Sequence, residues 1–384
     1  MNLKSNTLTT GLAMFSMLFG AGNVVFPLAL GQYSQDQNIY AIMGMLITAV
    51  AVPFLGLLSM TLFDGNYQHF FDRIGKWPGF IVTLFLMGLI GPFGAMPRTI
   101  TLSYSTVTLF FPGIPLLLFS LAACVIIFIL TYKRSRILDI LGYFLTPILL
   151  VSLLIIIIKG LLTSSAAEPS DLNHVSVFMH GVREGFNTMD LMGAMFFSSI
   201  VILCLKQELH PSDYQDYRKL VVMTLKASCI GASLLGIIYV GFSFVASYNS
   251  LDLASVSSDL MLGYLALQVL GPYAGILACV AVALACLTTA MALAAVFAEF
   301  LHEDIFRMKV NYTVCLVLTL ITTFLISTLN FTGIMAILAP ILFMCYPALI
   351  VLCICNMLYK LYDFPWIKAP VAITFAGTLL TYFV

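Results

Sequence analysis

Gly20-Ala21-Gly22-Asn23 splits the first apolar stretch of the chain, separating Leu12-Ala13-Met14-Phe15-Ser16-Met17-Leu18-Phe19 from Val24-Val25-Phe26-Pro27-Leu28-Ala29-Leu30. Hydrocarbon offers the backbone no hydrogen-bond partners, so helix-weakening residues at membrane depth are tolerated where protein or a watery cavity accepts the freed groups. The break therefore points to a binding site inside a membrane protein. Composition agrees: 61% of the 384 residues are hydrophobic, 9% are charged and the mean hydropathy is +1.06. Soluble domains hold about 45–50% apolar and about 25% charged residues. The formal net charge is zero, and in such a chain the position of the charges matters more than their sum. The nine cysteines all fall in apolar stretches without metal-ligand company, which reads as packing or lipid-facing use. Lys4 ahead of an apolar run has the look of a signal peptide, but the many later spans favour an uncleaved first helix.

A hydrocarbon core of about 30 Å needs roughly 20 apolar residues per helix. On that ruler about eleven spans are expected: near Leu8 to Leu30, Ile39 to Phe63, Gly79 to Leu109, Pro115 to Tyr132, Leu138 to Leu162, Phe186 to Leu205, Leu220 to Tyr248, Val269 to Leu301, Tyr312 to Leu329, Ile334 to Tyr359 and Ile367 to Val384. Basic residues cluster at Lys4, Arg73 with Lys76, Lys133 with Arg134 and Arg136, Lys206 with Arg218 and Lys219, Arg307 with Lys309, and Lys360 with Lys368. Every second loop is thus positive, which predicts a cytoplasmic N-terminus and an external C-terminus. Only Lys159 and Arg183 break the pattern.

The one sizeable hydrophilic segment, Thr163 to Glu184, divides a single transmembrane domain into residues 8–162, residues 175–359 and an extra helix at 367–384. Five spans are an odd number, so a second unit of five enters the membrane from the opposite side, and an internal duplication is inverted. The first helix of each unit carries an interruption, Gly20 to Asn23 in one and Gly185-Phe186-Asn187-Thr188-Met189-Asp190 in the other. Paired interruptions at corresponding positions are the sequence pointer to the binding site of a secondary transporter.

The residues also resemble a family. Gly11-Leu12-Ala13-Met14-Phe15 through Phe19-Gly20-Ala21-Gly22-Asn23 and Phe26-Pro27 is similar to the opening of the branched-chain amino acid:cation symporters, of the amino acid-polyamine-organocation superfamily. So are Gly91-Pro92-Phe93-Gly94-Ala95-Met96-Pro97-Arg98-Thr99, Glu184 to Asp190, Cys286-Leu287-Thr288-Thr289-Ala290 with Ala298-Glu299-Phe300, and Pro340-Ile341-Leu342-Phe343 with Tyr346-Pro347. Two departures stand out: the family usually shows twelve spans rather than eleven, and Ser198-Ser199 occupies a place expected to hold a small apolar or glycine pair. An extra helix lies outside the two repeats, so its lack bears on packing or oligomerisation more than on transport.

The resemblance implies an all-α, leucine-transporter-like fold with 5+5 inverted repeats and broken first and sixth helices. It also implies inward transport of leucine, isoleucine and valine with a cation, usually sodium, in the bacterial cytoplasmic (inner) membrane. No enzyme activity, cofactor, nucleic acid or obligatory protein partner is expected; the coupling ion, the substrate and membrane lipid are. About a dozen residues precede Gly20 in the membrane, roughly 18 Å of helix, so the break lies near mid-membrane. The first half-helix leaves its last carbonyls, Ser16 to Phe19, without intrahelical donors, and a small hard cation binds such oxygens. The amides of Ala21, Gly22 and Asn23 open the next half-helix at its positive end, suited to a carboxylate, and glycine permits close approach. The plainer reading of Gly20 and Gly22 is a small-residue packing contact.

Thr288 and Thr289 lie three and four positions beyond Ala285, so their hydroxyls and the Ala285 carbonyl share one side of the eighth span. With the Ser16 and Phe19 carbonyls they would make a five-oxygen sodium site, which also resembles the sodium site of coupled relatives in the wider superfamily. The competing reading is threonines bonded to their own helix. At the sixth-span break, the Phe186 and Asn187 carbonyls are candidates for the substrate ammonium, and Thr188 to Asp190 supply amides. Asp190 is otherwise a helix-start residue favoured by the dipole. Arg98 is expected far along the third span, near the outer surface, either snorkelling or paired with Glu184 or Asp190 as an outer gate. Glu299, near the cytoplasmic end of its span, reads as solvated or packing.

Four other readings compete. An intramembrane protease needs an HExxH, a GxSxG-type serine or facing aspartates, and a channel a repeated filter or charged ring; neither pattern is found. A proton-coupled carrier of another neutral amino acid and a non-transporting nutrient sensor use the same pocket and stay open.

Overall fold

The computed structural model describes residues 7–132, 137–164, 166–208 and 217–383, and contains helices without strands among them. The basic positions Lys4, Lys133, Arg134 and Arg136 lie outside the described residues. The first span consists of α1 (Thr7–Leu18) and α2 (Gly22–Ser34); the second of α3 (Asn38–Leu46), a π-turn at Ile47–Ala51 and α4 (Val52–Thr61). A short α5 (Tyr67–Phe71) leads to the third span, α6 (Lys76–Ile90) and α7 (Ala95–Thr108), followed by α8 (Leu116–Thr131) and α9 (Ile137–Thr163). The sixth span is α10 (His174–Asn187) with α11 (Asp190–Glu208), and the seventh is α12 (Tyr217–Tyr248). Two connecting helices, α13 (Ser250–Leu253) and α14 (Met261–Leu270), precede α15 (Pro272–Phe300), α16 (Tyr312–Ser327), α17 (Asn330–Tyr362) and α18 (Lys368–Phe383).

An inversion that exchanges the first span with the sixth and the second with the seventh maps a first–seventh contact onto a sixth–second contact. Both contacts are present: α12 packs along α1 and α2, while α3 and α4 pack along α10 and α11. Each pair includes a close glycine contact, in the second half-helix of the first span and in the first half-helix of the sixth. A Cβ on Gly31 of α2 would stand 1.9 Å from the Ser243 carbonyl oxygen of α12, and one on Gly181 of α10 would stand 1.9 Å from the Ala41 oxygen of α3. Lipid tails are as apolar as leucine, so close backbone packing through small residues replaces hydrophobic collapse as the source of helix association. The outer surface is correspondingly apolar, with Leu117, Leu118, Leu121, Val125 and Ile129 of α8 all exposed.

Three elements differ from the hydropathy reading. The third span is not continuous: Gly91-Pro92-Phe93-Gly94 breaks it, and the Gly91 carbonyl takes the Met96 amide (3.2 Å) while Phe93 N–H reaches back to Gly88 (3.0 Å). Pro92 carries no N–H to continue the ladder. The sixth span begins at His174, inside the segment read as hydrophilic, where the Asn173 side chain caps it by accepting from Val175 N–H (2.9 Å). This half-helix is amphipathic, burying Val177 together with Gly181 and Gly185, the two glycines against the second span, and a window that sums hydropathy overlooks such a face. In the second span, Pro53 lies two residues beyond the end of the π-turn; its missing N–H frees a carbonyl of the preceding turn and accounts for the local widening.

Candidate substrate and cation site

The first break is compact. After α1 ends, Phe19 N–H still returns to Phe15 (2.8 Å), but Gly20 N–H donates to the Asn23 side-chain oxygen (2.8 Å). The Asn23 amide donates to the Gly20 carbonyl (3.2 Å), and the Val24 and Val25 amides to that of Ala21 (3.4 and 3.3 Å). Asn23 therefore clasps the break with both its side chain and its backbone. Ala21 and Gly22 stand at the head of α2, and of the three amides that the sequence offers to a carboxylate, the Asn23 amide already has a backbone acceptor.

The second break turns on Met189, whose φ is +65° and which is buried. A non-glycine residue in the left-handed region costs energy that surrounding structure must cover, a pattern concentrated at functional sites. The Phe186 carbonyl accepts the Thr188 and Met189 amides, the latter at 3.2 Å. The Thr188 hydroxyl bonds the Gly185 carbonyl (2.9 Å) and accepts Asp190 N–H (3.4 Å). The second span fixes this end: a Cβ on Gly185 would stand 1.9 Å from the Thr48 hydroxyl, which donates to the Val182 carbonyl (3.1 Å).

The two breaks meet. The Asn23 amide group donates to both carboxylate oxygens of Asp190 (3.0 and 2.8 Å) and lies in a short contact with the Tyr239 hydroxyl of α12, which itself donates to Asp190 (2.7 Å). All three side chains are buried. Burying a carboxylate is costly unless hydrogen bonds satisfy it, and here α2 and α12 supply them. Tyr239 escapes a motif-based reading; its only mark in the sequence is a phenol in the middle of the otherwise apolar Ile237-Ile238-Tyr239-Val240.

Arg98 does not lie at the outer surface. It is 3% exposed and points into the junction of the breaks, where Nη1 donates to the Asn187 carbonyl (2.6 Å) and Nη2 to that of Thr188 (3.3 Å). The third-span break explains the misplacement, since counting residues along a continuous helix from Gly79 carries Arg98 too far. The Phe26 ring of α2 stands 5.3 Å from the guanidinium carbon, within cation–π range. A Cβ on Gly22 would lie 2.9 Å from Nη2 and 3.2 Å from the Thr188 Cα, so this glycine makes room for both. Glu184 sits on the same half-helix but faces elsewhere: it accepts from Asn187 Nδ2 (3.2 Å) and lies 3.6 Å from His180. Among the described residues no ion pair joins Arg98 to Glu184 or to Asp190.

On the eighth span, the Ala285 carbonyl accepts from both the Thr288 hydroxyl (2.9 Å) and the Thr289 hydroxyl (3.0 Å). The three oxygens form one cluster. Its position is informative, because a Cβ on Gly20 would touch the Thr289 methyl at 3.6 Å. The first break and the threonine pair are thus neighbours. Ser16 contributes backbone to α1, and Phe19 is buried with its ring stacked on Phe15 at 5.1 Å.

Two opposed broken helices flanked by inverted partner helices define the leucine-transporter type of membrane transporter fold. Solved structures agree: the inward-facing conformation of Mhp1 aligns with a TM-score of 0.69 at 15% identity, covering 98% of this chain and 88% of that one. MhsT in complex with L-phenylalanine aligns with a TM-score of 0.61 at 15% identity, covering 97% of each chain. The chain belongs to the branched-chain amino acid transport protein family, whose pattern it matches over residues 3–382. Its relatives include the branched-chain amino acid permease BrnQ of Corynebacterium glutamicum, 29% identical over 360 residues, 93% of this chain and 82% of that protein. The permease of the same name from Bacillus subtilis is 29% identical over 362 residues, 92% of this chain and 81% of that protein. The family resemblance and the fold expected from the sequence both hold.

Proposed function

We propose that the protein imports leucine, isoleucine and valine together with sodium, by alternating access around the paired breaks. It would work in the bacterial cytoplasmic membrane with its N-terminus inside. The observation that carries this reading is the meeting of three sets of polar groups. The head of α2 at Ala21 and Gly22 suits a carboxylate, the Asn187 and Thr188 carbonyls suit an ammonium, and the Ala285, Thr288 and Thr289 oxygens beside Gly20 suit a small hard cation. Sodium would take the lone pairs of two hydroxyls that now donate to Ala285. Joined through Gly20 and Asn23, the ion cluster and the substrate groups share one segment of backbone, so ordering it for one ligand favours the other.

The decisive experiment is uptake of labelled leucine by proteoliposomes under imposed sodium, potassium or proton gradients. Accumulation driven by inward sodium alone supports the reading. Accumulation driven by protons without sodium would move the coupling to the buried Asp190 carboxylate. Leucine binding without flux under any gradient would identify a sensor built on a transporter fold.

A further inference from the structure

Arg98 occupies the place that the foregoing reading gives to the substrate ammonium. Its guanidinium lies on the Asn187 and Thr188 carbonyls at 2.6 and 3.3 Å, the acceptors that a half-helix end presents to any cation. Among the described residues Asp190 forms no ion pair with it; both Asp190 oxygens accept from Asn23, and Oδ2 from Tyr239 as well. A buried guanidinium without a carboxylate partner is a costly arrangement. One of its donors is also unused: Nε is buried and has no hydrogen-bond acceptor. Nε and Nη2 form the side-on edge of the guanidinium, the edge that takes a carboxylate with two parallel hydrogen bonds. Nη2 makes the longer of the two carbonyl bonds and is the atom facing Gly22, at the positive end of α2.

We propose that Arg98 is a tethered cation that holds the ammonium subsite while the site is empty and is exchanged for the substrate, making the site selective for zwitterions. The entering ammonium takes over the Asn187 and Thr188 carbonyls. The entering carboxylate receives the displaced guanidinium through Nε and Nη2, beside the Gly22 amide. Each half of the substrate is required by the other. An amine displaces Arg98 but leaves it buried without an anion, and a keto acid binds Arg98 but leaves the carbonyls without a cation. Arg98 is in this sense a specificity-determining residue, and the glycine at position 22 supplies the space in which the exchange occurs.

This inference rests on the substrate reading above, and the test separates the two. Competition binding is measured on purified full-length protein with leucine, with 3-methylbutylamine, which is leucine without its carboxylate, and with 4-methyl-2-oxopentanoate, which lacks the ammonium. For the wild type, leucine competes while amine and keto acid each compete at least about 100-fold more weakly, the scale of a lost buried charge partner. In Arg98→Gln the carbonyls are released, so leucine weakens by about tenfold or more while the amine gains measurable affinity. Arg98→Lys keeps the charge and continues to exclude the amine. A wild type that binds the amine as tightly as leucine overturns the proposal without any variant. So does a folded Arg98→Gln protein that still rejects the amine. If the wild type binds a different neutral amino acid instead of leucine, the substrate reading fails, and the same comparison is run with that amino acid and its own decarboxylated amine. Binding of no amino acid overturns both.

Discussion

The two helix breaks solve the same problem with different residues. The first contains Gly20 and Gly22 yet no residue with positive φ, whereas the second contains no glycine at its turn and puts Met189 at φ +65°. Glycine at the first break is therefore there for room rather than for backbone freedom, and the crowding around Gly22 shows who uses the room: Arg98, Phe26 and Thr188. The second break supplies carbonyls and a carboxylate instead. One break is the space and the other the acceptors, and Asn23 to Asp190 fastens them together. The two breaks thus have complementary roles.

The largest effect is expected at Gly22. Gly22→Leu puts a branched side chain where a Cβ alone would stand 2.9 Å from Arg98 and 3.2 Å from the Thr188 backbone. Leucine binding is expected to fall by more than about 100-fold in protein that still inserts and elutes as a monodisperse species; normal uptake would place the pocket elsewhere. The clasp between the breaks comes next. Asn23→Ala and Asp190→Ala each weaken leucine binding, and the double variant is less than additive, with a coupling of about 1–3 kcal/mol. Additive losses would mean that the two breaks act independently.

Smaller effects separate the ion from the substrate. Thr288→Val and Thr289→Val are each expected to raise the sodium concentration for half-maximal uptake by about fivefold, the scale of one lost oxygen contact of ~1 kcal/mol. Discrimination among leucine, isoleucine and valine stays unchanged, and the double variant loses more than the sum. Sodium activation curves superimposed on wild type would leave these hydroxyls with only their bonds to Ala285. Gly20→Ala gives the smallest change, about twofold or less in leucine affinity, because its added Cβ meets Thr289 and Asn23 at the ordinary distances of 3.6 and 3.7 Å. A severe loss there would erase the contrast between the two glycines.

The sequence made the broken first and sixth spans legible because glycine, asparagine and aspartate stand out against uninterrupted hydrophobicity. It did not reveal the third interruption, since Gly91-Pro92-Phe93-Gly94 sits inside a run apolar enough to read as one helix, and the error put Arg98 at the outer surface instead of at the buried junction of the breaks. The start of the sixth span was hidden for the opposite reason. His174 to Glu184 mixes polar and apolar residues without a continuous apolar run, and the packing of Gly181 and Gly185 against Ala41 and Thr48 shows that it belongs to the bundle. Tyr239 joined the site through a contact between residues 49 positions apart, which no local pattern encodes. The segment from Asn249 to Gln268, between the seventh and eighth expected spans, contains α13 and most of α14, with Met261, Leu262, Leu265 and Ala266 buried.

The claim on which the rest depends is that ion and substrate are held by one shared element, the first break. Its most direct test is a leucine binding isotherm on the purified protein at a series of sodium concentrations, with potassium holding ionic strength constant. The account predicts that saturating sodium tightens leucine binding by about fivefold or more, and that saturating leucine tightens sodium binding by the same factor, as linkage requires. A leucine affinity identical in sodium and in potassium, in protein shown to be folded by its thermal unfolding transition, would contradict it.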